Sequence, residues 1–118
     1  MKQEEKDLLL KDLCGRLPYG VKGNYQNSDD ELLRKVTIMY RYLEPDGMVM
    51  TGDIKPYLFP LSSMTHKQKA ELAMLVVGVE DLFKSFLIEV EFYHKHHIDY
   101  RGLIEKGLVL DATGLDIY

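Results

Sequence analysis

The sequence is short of nearly every feature that would fix a function class. With a single cysteine, Cys14, no disulfide can close within the chain, and stability must come from a packed core. That usage suits a reducing, cytoplasmic setting. The longest apolar window, Ala73 to Val79, contains Gly78 and falls far below the roughly 20 residues of a membrane span. The mixed charges of Met1 to Lys6, followed only by Leu8, Leu9 and Leu10, are too short an apolar stretch for a secretory leader. Basic excess is missing as well. Fifteen Lys and Arg stand against nineteen Asp and Glu, a net charge of -4, which disfavours nucleic acid, whose affinity comes from clustered cations. Gly20 and Gly23 lack the strand, the spacing and the helix start of a phosphate loop, and no serine or cysteine sits in a nucleophile elbow or triad. The residues therefore call for no cofactor and no membrane.

What is present is an ordinary globular composition, 46% hydrophobic and 29% charged over 118 residues. The whole chain, 1–118, reads as one domain, which at this size buries roughly two thirds of its unfolded surface. From Gln3 to Leu17, Leu9, Leu10, Leu13 and Leu17 fall at helical spacing with Lys2, Lys6, Lys11 and Asp12 off that stripe; Pro18 ends the helix. Cys14, in its last turn, reads as a buried or half-buried thiol. Tyr19 to Tyr25 combines a turn with an edge-like strand. The stretch 28–43 has two readings. Ser28-Asp29-Asp30-Glu31 resembles a helix capping box, whereas the β-branched and aromatic residues from Arg34 to Leu43 favour a strand, and the strand is preferred. Glu44-Pro45-Asp46-Gly47 then predicts a turn, with Met48 to Thr51 returning as the partner of a β-hairpin.

Pro56 and Pro60 exclude both a helix and a central strand from Asp53 to Leu61, leaving an edge or crossing segment that carries Tyr57, Leu58, Phe59 and Leu61 inward. Thr65 and Gln68 form a capping box, so a helix starts there. A single helix from Thr65 to His97 would be about 50 Å long, far too long for a globule of this size, and a break is predicted at Val77-Gly78. Two packed helices follow. The second carries Phe83, Leu87, Val90, His94 and His97 on its apolar stripe, with Glu80–Lys84 and Glu91–Lys95 pairs on the opposite face. A short strand is expected at Gly107 to Asp111, and the tail from Ala112 to Tyr118 can return to the sheet. Met39, Met48, Met50, Met64 and Met74 read as core filler. The fold class is α+β, a mostly antiparallel sheet packed against two or three helices, two of which cover one sheet face.

Two groups of residues carry candidate chemistry. His94, His96, His97 and Asp99 are the one cluster of metal-type ligands, and they allow a metal-dependent hydrolase or nuclease using His94, His97 and Asp99. Their spacing matches no established ligand signature, and histidines at a helix C-terminus are favoured there in any case. The second group is Arg16 and Tyr19 around Pro18, with Lys22, and Tyr100 and Arg101 beside Gly102. Arg101 has the fork that clamps a carboxylate or phosphate, or else ties down the helix end by pairing with Asp99 or Glu105. Arg16, Tyr19, Tyr100 and Arg101 are of the types that anchor interfaces, and they would share a surface if the first and last helices meet.

Three blocks, Leu13 to Val21, Lys55 to Thr65, and Asp99 to Ile104 with Gly107-Leu108 and Leu110-Asp111-Ala112, resemble a family of small uncharacterised proteins of Bacteroides-type gut bacteria and their phages. The blocks cover about a third of the chain. The resemblance implies a bacterial or phage origin, a cytoplasmic setting and an accessory role, and it transfers no functional residue. The combined expectation is a non-enzymatic interaction module of phage or mobile-element type with a protein partner, binding through Arg16, Tyr19, Tyr100 and Arg101.

Overall fold

A computed structural model describes residues 1–27 and 30–118. Helix α1 (Gln3–Arg16) is followed by β1 (Lys22–Tyr25), β2 (Val36–Thr37), β3 (Ile54–Pro60), α2 (His66–Val76), α3 (Leu82–Lys95), β4 (Ile98–Asp99) and β5 (Leu110–Asp111), with short 3-10 turns between them. The α+β class expected from the sequence is what forms. The five-stranded sheet is mixed. β1 pairs antiparallel with β2 and with β3, while β4 and β5 each run parallel to β3.

β3 is therefore the spine of the sheet and not the edge that its two prolines imply. It changes partner along its length: Ile54 to Pro56 lie against β1, Tyr57 and Leu58 against β5, Phe59 and Pro60 against β4. Pro56 falls where one ladder ends and Pro60 closes the strand, so neither missing N–H interrupts a continuous ladder.

The core gathers Leu9 and Leu13 of α1 with Val21, Ile38, Leu43, Val49, Met50, Ile54 and Leu58, closed from the C-terminal side by Leu103, Leu108 and Val109. Leu10, placed on the same helical stripe, is 38% exposed. Asp12, placed off it, is fully buried, and Cys14 is exposed rather than buried. Of the methionines expected as filler, Met50 is buried, whereas Met39, Met48 and Met74 are exposed.

The expected strand from Arg34 to Leu43 shrinks to Val36–Thr37, between 3-10 turns at Glu31–Arg34 and Tyr40–Leu43. Ile38 and Leu43 are the inward anchors while Tyr40 is 67% exposed, a spacing that an alternating strand cannot give. Of the suggested capping box, Ser28 and Asp29 lie outside the described residues; the Asp30 carboxylate accepts from Leu32 N–H and caps the short turn. Glu44 to Gly47 does form a turn, with Gly47 N–H donating to Glu44 C=O at 2.8 Å, but no hairpin follows. Val49 and Met50 are both buried, and period-two alternation would expose one of them. The segment winds through further turns instead.

The second half follows the local signals closely. Thr65 Oγ accepts from Gln68 N–H and the Gln68 side chain accepts from Thr65 N–H, which starts α2; Gly78, at φ 79°, breaks the run before α3. The two helices pack on each other but do not cover a sheet face. No residue of α2 is buried, and in α3 only Phe92 is. The molecule measures 47 × 30 × 23 Å, with a radius of gyration of 15.0 Å against about 13 Å for a compact chain of this length. Neither Glu80–Lys84 nor Glu91–Lys95 pairs among the described residues; Glu91 accepts instead from the Tyr19 hydroxyl at 3.1 Å.

Candidate functional site

α1 and the segment after β4 do meet, and they do so around Asp12. An aspartate and an arginine four residues apart share one helix face, which brings Arg16 Nε to 2.7 Å and Arg16 Nη2 to 3.2 Å from the two Asp12 oxygens. Both side chains are 0% exposed. Arg101 reaches the same carboxylate from 89 residues away, its Nε 3.1 Å from Asp12 Oδ1, with 26% of its side chain exposed. One buried carboxylate thus holds two guanidinium groups. The Tyr100 ring supplies the second support, with the Arg16 and Arg101 guanidinium carbons 5.4 and 5.0 Å from its centroid. Its negative face partly offsets the excess positive charge.

Tyr100 is itself fixed from α3. Tyr93 stacks on it at 5.4 Å, and the Tyr100 hydroxyl lies 3.0 Å from His94 Nε2. Burial, and then the neighbouring Arg16, push the His94 imidazole below its ordinary pKa; Asp12 opposes this only in part. A neutral ring is what a tyrosine hydroxyl can bond without competing charge. Gly15 makes this packing possible, because a Cβ there would stand 2.5 Å from His94 Cε1.

Of the four residues expected to form a binding surface, Arg16, Tyr100 and Arg101 converge here, while Tyr19 stands apart on Glu91. Arg16 is not exposed, contrary to its expected role as a surface anchor. Arg101 pairs with neither Asp99 nor Glu105 but with Asp12. Both Asp12 oxygens are engaged, and of the two guanidinium groups only that of Arg101 belongs to a partly exposed side chain.

The histidines and Asp99 do not assemble as ligands. Asp99 accepts from Leu103 N–H at 3.0 Å and from Ile104 N–H at 2.9 Å, so its carboxylate caps the following turn. His96 packs on Phe92, and His97, in the left-handed region at φ 59°, stacks on Tyr118 at 3.6 Å. Burial takes the His97 pKa down to about 4, with Arg16 and His96 adding to the effect, and its Nδ1 is buried without a hydrogen-bond partner. Among the described residues no group of three or more His, Cys, Asp or Glu could hold a metal ion. No helix among them is long and apolar enough to cross a membrane.

The most conspicuous surface was not singled out from the sequence. Met74, Leu75, Leu82, Phe83, Phe86 and Leu87, around the outer half of the α2–α3 hairpin, are 49–86% exposed. α1 meets the Phe83–Leu87–Val90–His94 stripe at its His94 end, where Gly15 sits, while Phe83 and Leu87 are exposed. The signal available in the sequence was apolar residues on more than one side of both helices, a pattern that belongs to a buried element. Comparison of the chain with protein-family models, curated proteins and solved structures finds no match.

Proposed function

We propose that the chain is a non-enzymatic interaction module, an accessory protein of phage or mobile-element type, that docks an apolar protein partner through the outer half of the α2–α3 hairpin. One observation carries this reading: the six large apolar side chains Met74, Leu75, Leu82, Phe83, Phe86 and Leu87 are 49–86% exposed. Side chains of this size present roughly 150–200 Å² each when free, so those six alone display about 700 Å². The largest patch on a typical monomer is about 300–600 Å². The phage setting and a cytoplasmic location rest on the sequence blocks and the single cysteine.

The Asp12 cluster supports the same reading from the other side, since its polar groups are occupied in holding α1, α3 and the Tyr100–Arg101 segment together. The test is affinity capture with the wild-type chain beside Phe83→Asp, Phe86→Asp, followed by rebinding of the purified candidate partner. Both phenylalanines are exposed, so the variant keeps its fold, as far-UV circular dichroism will show. A partner that binds the wild type and is lost by the variant supports the proposal. Equal binding to both removes the hairpin from it.

A further inference from the structure

We infer that the partner of the hairpin is a second copy of this chain, packed antiparallel so that the tip of each hairpin lies against the base of the other. The inference rests on the interaction-module reading and names its occupant. Two observations lead to it, the area displayed and the placement of charge.

The area is that of a dimer. About 700 Å² of apolar side chain per copy compares with about 800 Å² per partner in a standard stable interface. A two-fold pairing uses the same surface on both copies and buries both displays at once. Two hairpins side by side make a four-helix arrangement, in which helices apolar on several sides find partners on several sides.

The charges are arranged for tip against base. Lys67 and Lys69 stand in the first turns of α2 at the base, where the helix dipole disfavours cations, and the first turn holds no acidic residue to offset them. Neither lysine forms an ion pair among the described residues. Glu80 and Asp81 stand at the tip; Asp81 caps α3 through Phe83 and Lys84 N–H, and Glu80 is exposed. Even with Lys84 the tip keeps a net negative charge. Antiparallel pairing brings this acidic tip to Lys67 of the other copy, which lines the same side of the hairpin as Met74 and Leu75, whereas parallel pairing sets the two acidic tips together. The same acids count against an anionic membrane as the occupant.

Sedimentation velocity and light scattering on the purified full chain across micromolar to millimolar concentration test this. The expected result is a species of twice the 13.7 kDa chain mass. Phe83→Asp, Phe86→Asp should weaken it by roughly 100-fold or more, as loss of two interface aromatics does. Glu80→Lys should weaken it several-fold, and Lys67→Glu in the same chain should restore it. A dimer untouched by the phenylalanine variant, or a charge pair without rescue, overturns the arrangement. A monomer throughout overturns self-association. In that case a different protein retained by wild type and lost by the variant leaves the interaction module standing, whereas vesicle binding lost by the variant transfers the surface to lipid and ends both readings.

Discussion

Asp12→Asn is the sharpest perturbation of this molecule, because a single buried carboxylate answers two guanidinium groups. Asparagine keeps the shape and one acceptor oxygen but removes the charge, leaving Arg16, with no exposed surface, opposite a neutral amide. Removing one member of a buried ion pair costs about 3–5 kcal/mol, because the remaining charge cannot return to water. Arg101 is different. A quarter of its side chain is exposed, so it can resolvate, and its share is nearer the 1 kcal/mol or less of a surface pair. The expected loss is therefore about 3–5 kcal/mol, set almost wholly by Arg16, which for a chain of this length lowers the Tm by roughly 12–20 °C. Urea denaturation followed by circular dichroism measures it, and Arg101→Ala should cost only about 1 kcal/mol in the same assay. Asp12→Leu combined with Arg16→Met should recover most of the loss, since apolar replacement of a buried pair is often neutral. An Asp12→Asn loss under about 1 kcal/mol would refute the assignment of a charged, desolvated Arg16. A double variant as unstable as the two singles added together would show that the cost is not that of an orphaned charge.

Three further outcomes are expected. The unfolded His97 titrates near 6.5 and the folded one at about 4, so between these values the unfolded chain binds more protons; stability is full above pH 6.5 and declines as the pH falls through that window. Discounted for the ring's remaining solvent contact, the loss is at most about 2 kcal/mol, and His97→Phe, which keeps the stack on Tyr118, should flatten it in a pH series of urea melts. Gly15→Ala would ordinarily stabilise a helix by about 1 kcal/mol, but the new methyl meets His94, so thermal melting should show a net loss of about 1–3 kcal/mol. Asp99→Ala strips the acceptors from Leu103 and Ile104 N–H, and should cost about 2–4 kcal/mol while raising hydrogen exchange from Gly102 to Leu108.

What was legible in the sequence is what local chemistry decides. The Thr65–Gln68 box, the break at Gly78, the stop before Pro18 and the strand ending at Asp111 each depend on a few neighbouring residues. Arg34 to Leu43 was misjudged because β-branched and aromatic residues are equally at home around 3-10 turns when their inward anchors are Ile38 and Leu43. The prolines of β3 misled for a different reason, since a strand that changes partner has places where a donor is not needed. Arg16 and Arg101, which share a surface only if the first and last helices meet, do converge, on Asp12. Asp12 itself was missed because a charged residue beside an apolar stripe reads as solvated, although its spacing of four from Arg16 was the available sign of pairing. The bare hairpin could not be read from periodicity, which marks an apolar face without saying what covers it.

β3 has a consequence for how the chain reaches this state. Its partners extend from Gly23 to Asp111, so the sheet is completed by contacts that are far apart in sequence, and such contacts slow folding because long loops must close first. During synthesis, α1, β1 and β3 are made well before β4 and β5, and until those two arrive the second half of β3 is an open, largely apolar edge. Exposed edges of this kind template intermolecular pairing. Folding of the segment from Ile98 onward is thus also the step that protects the nascent sheet from aggregation.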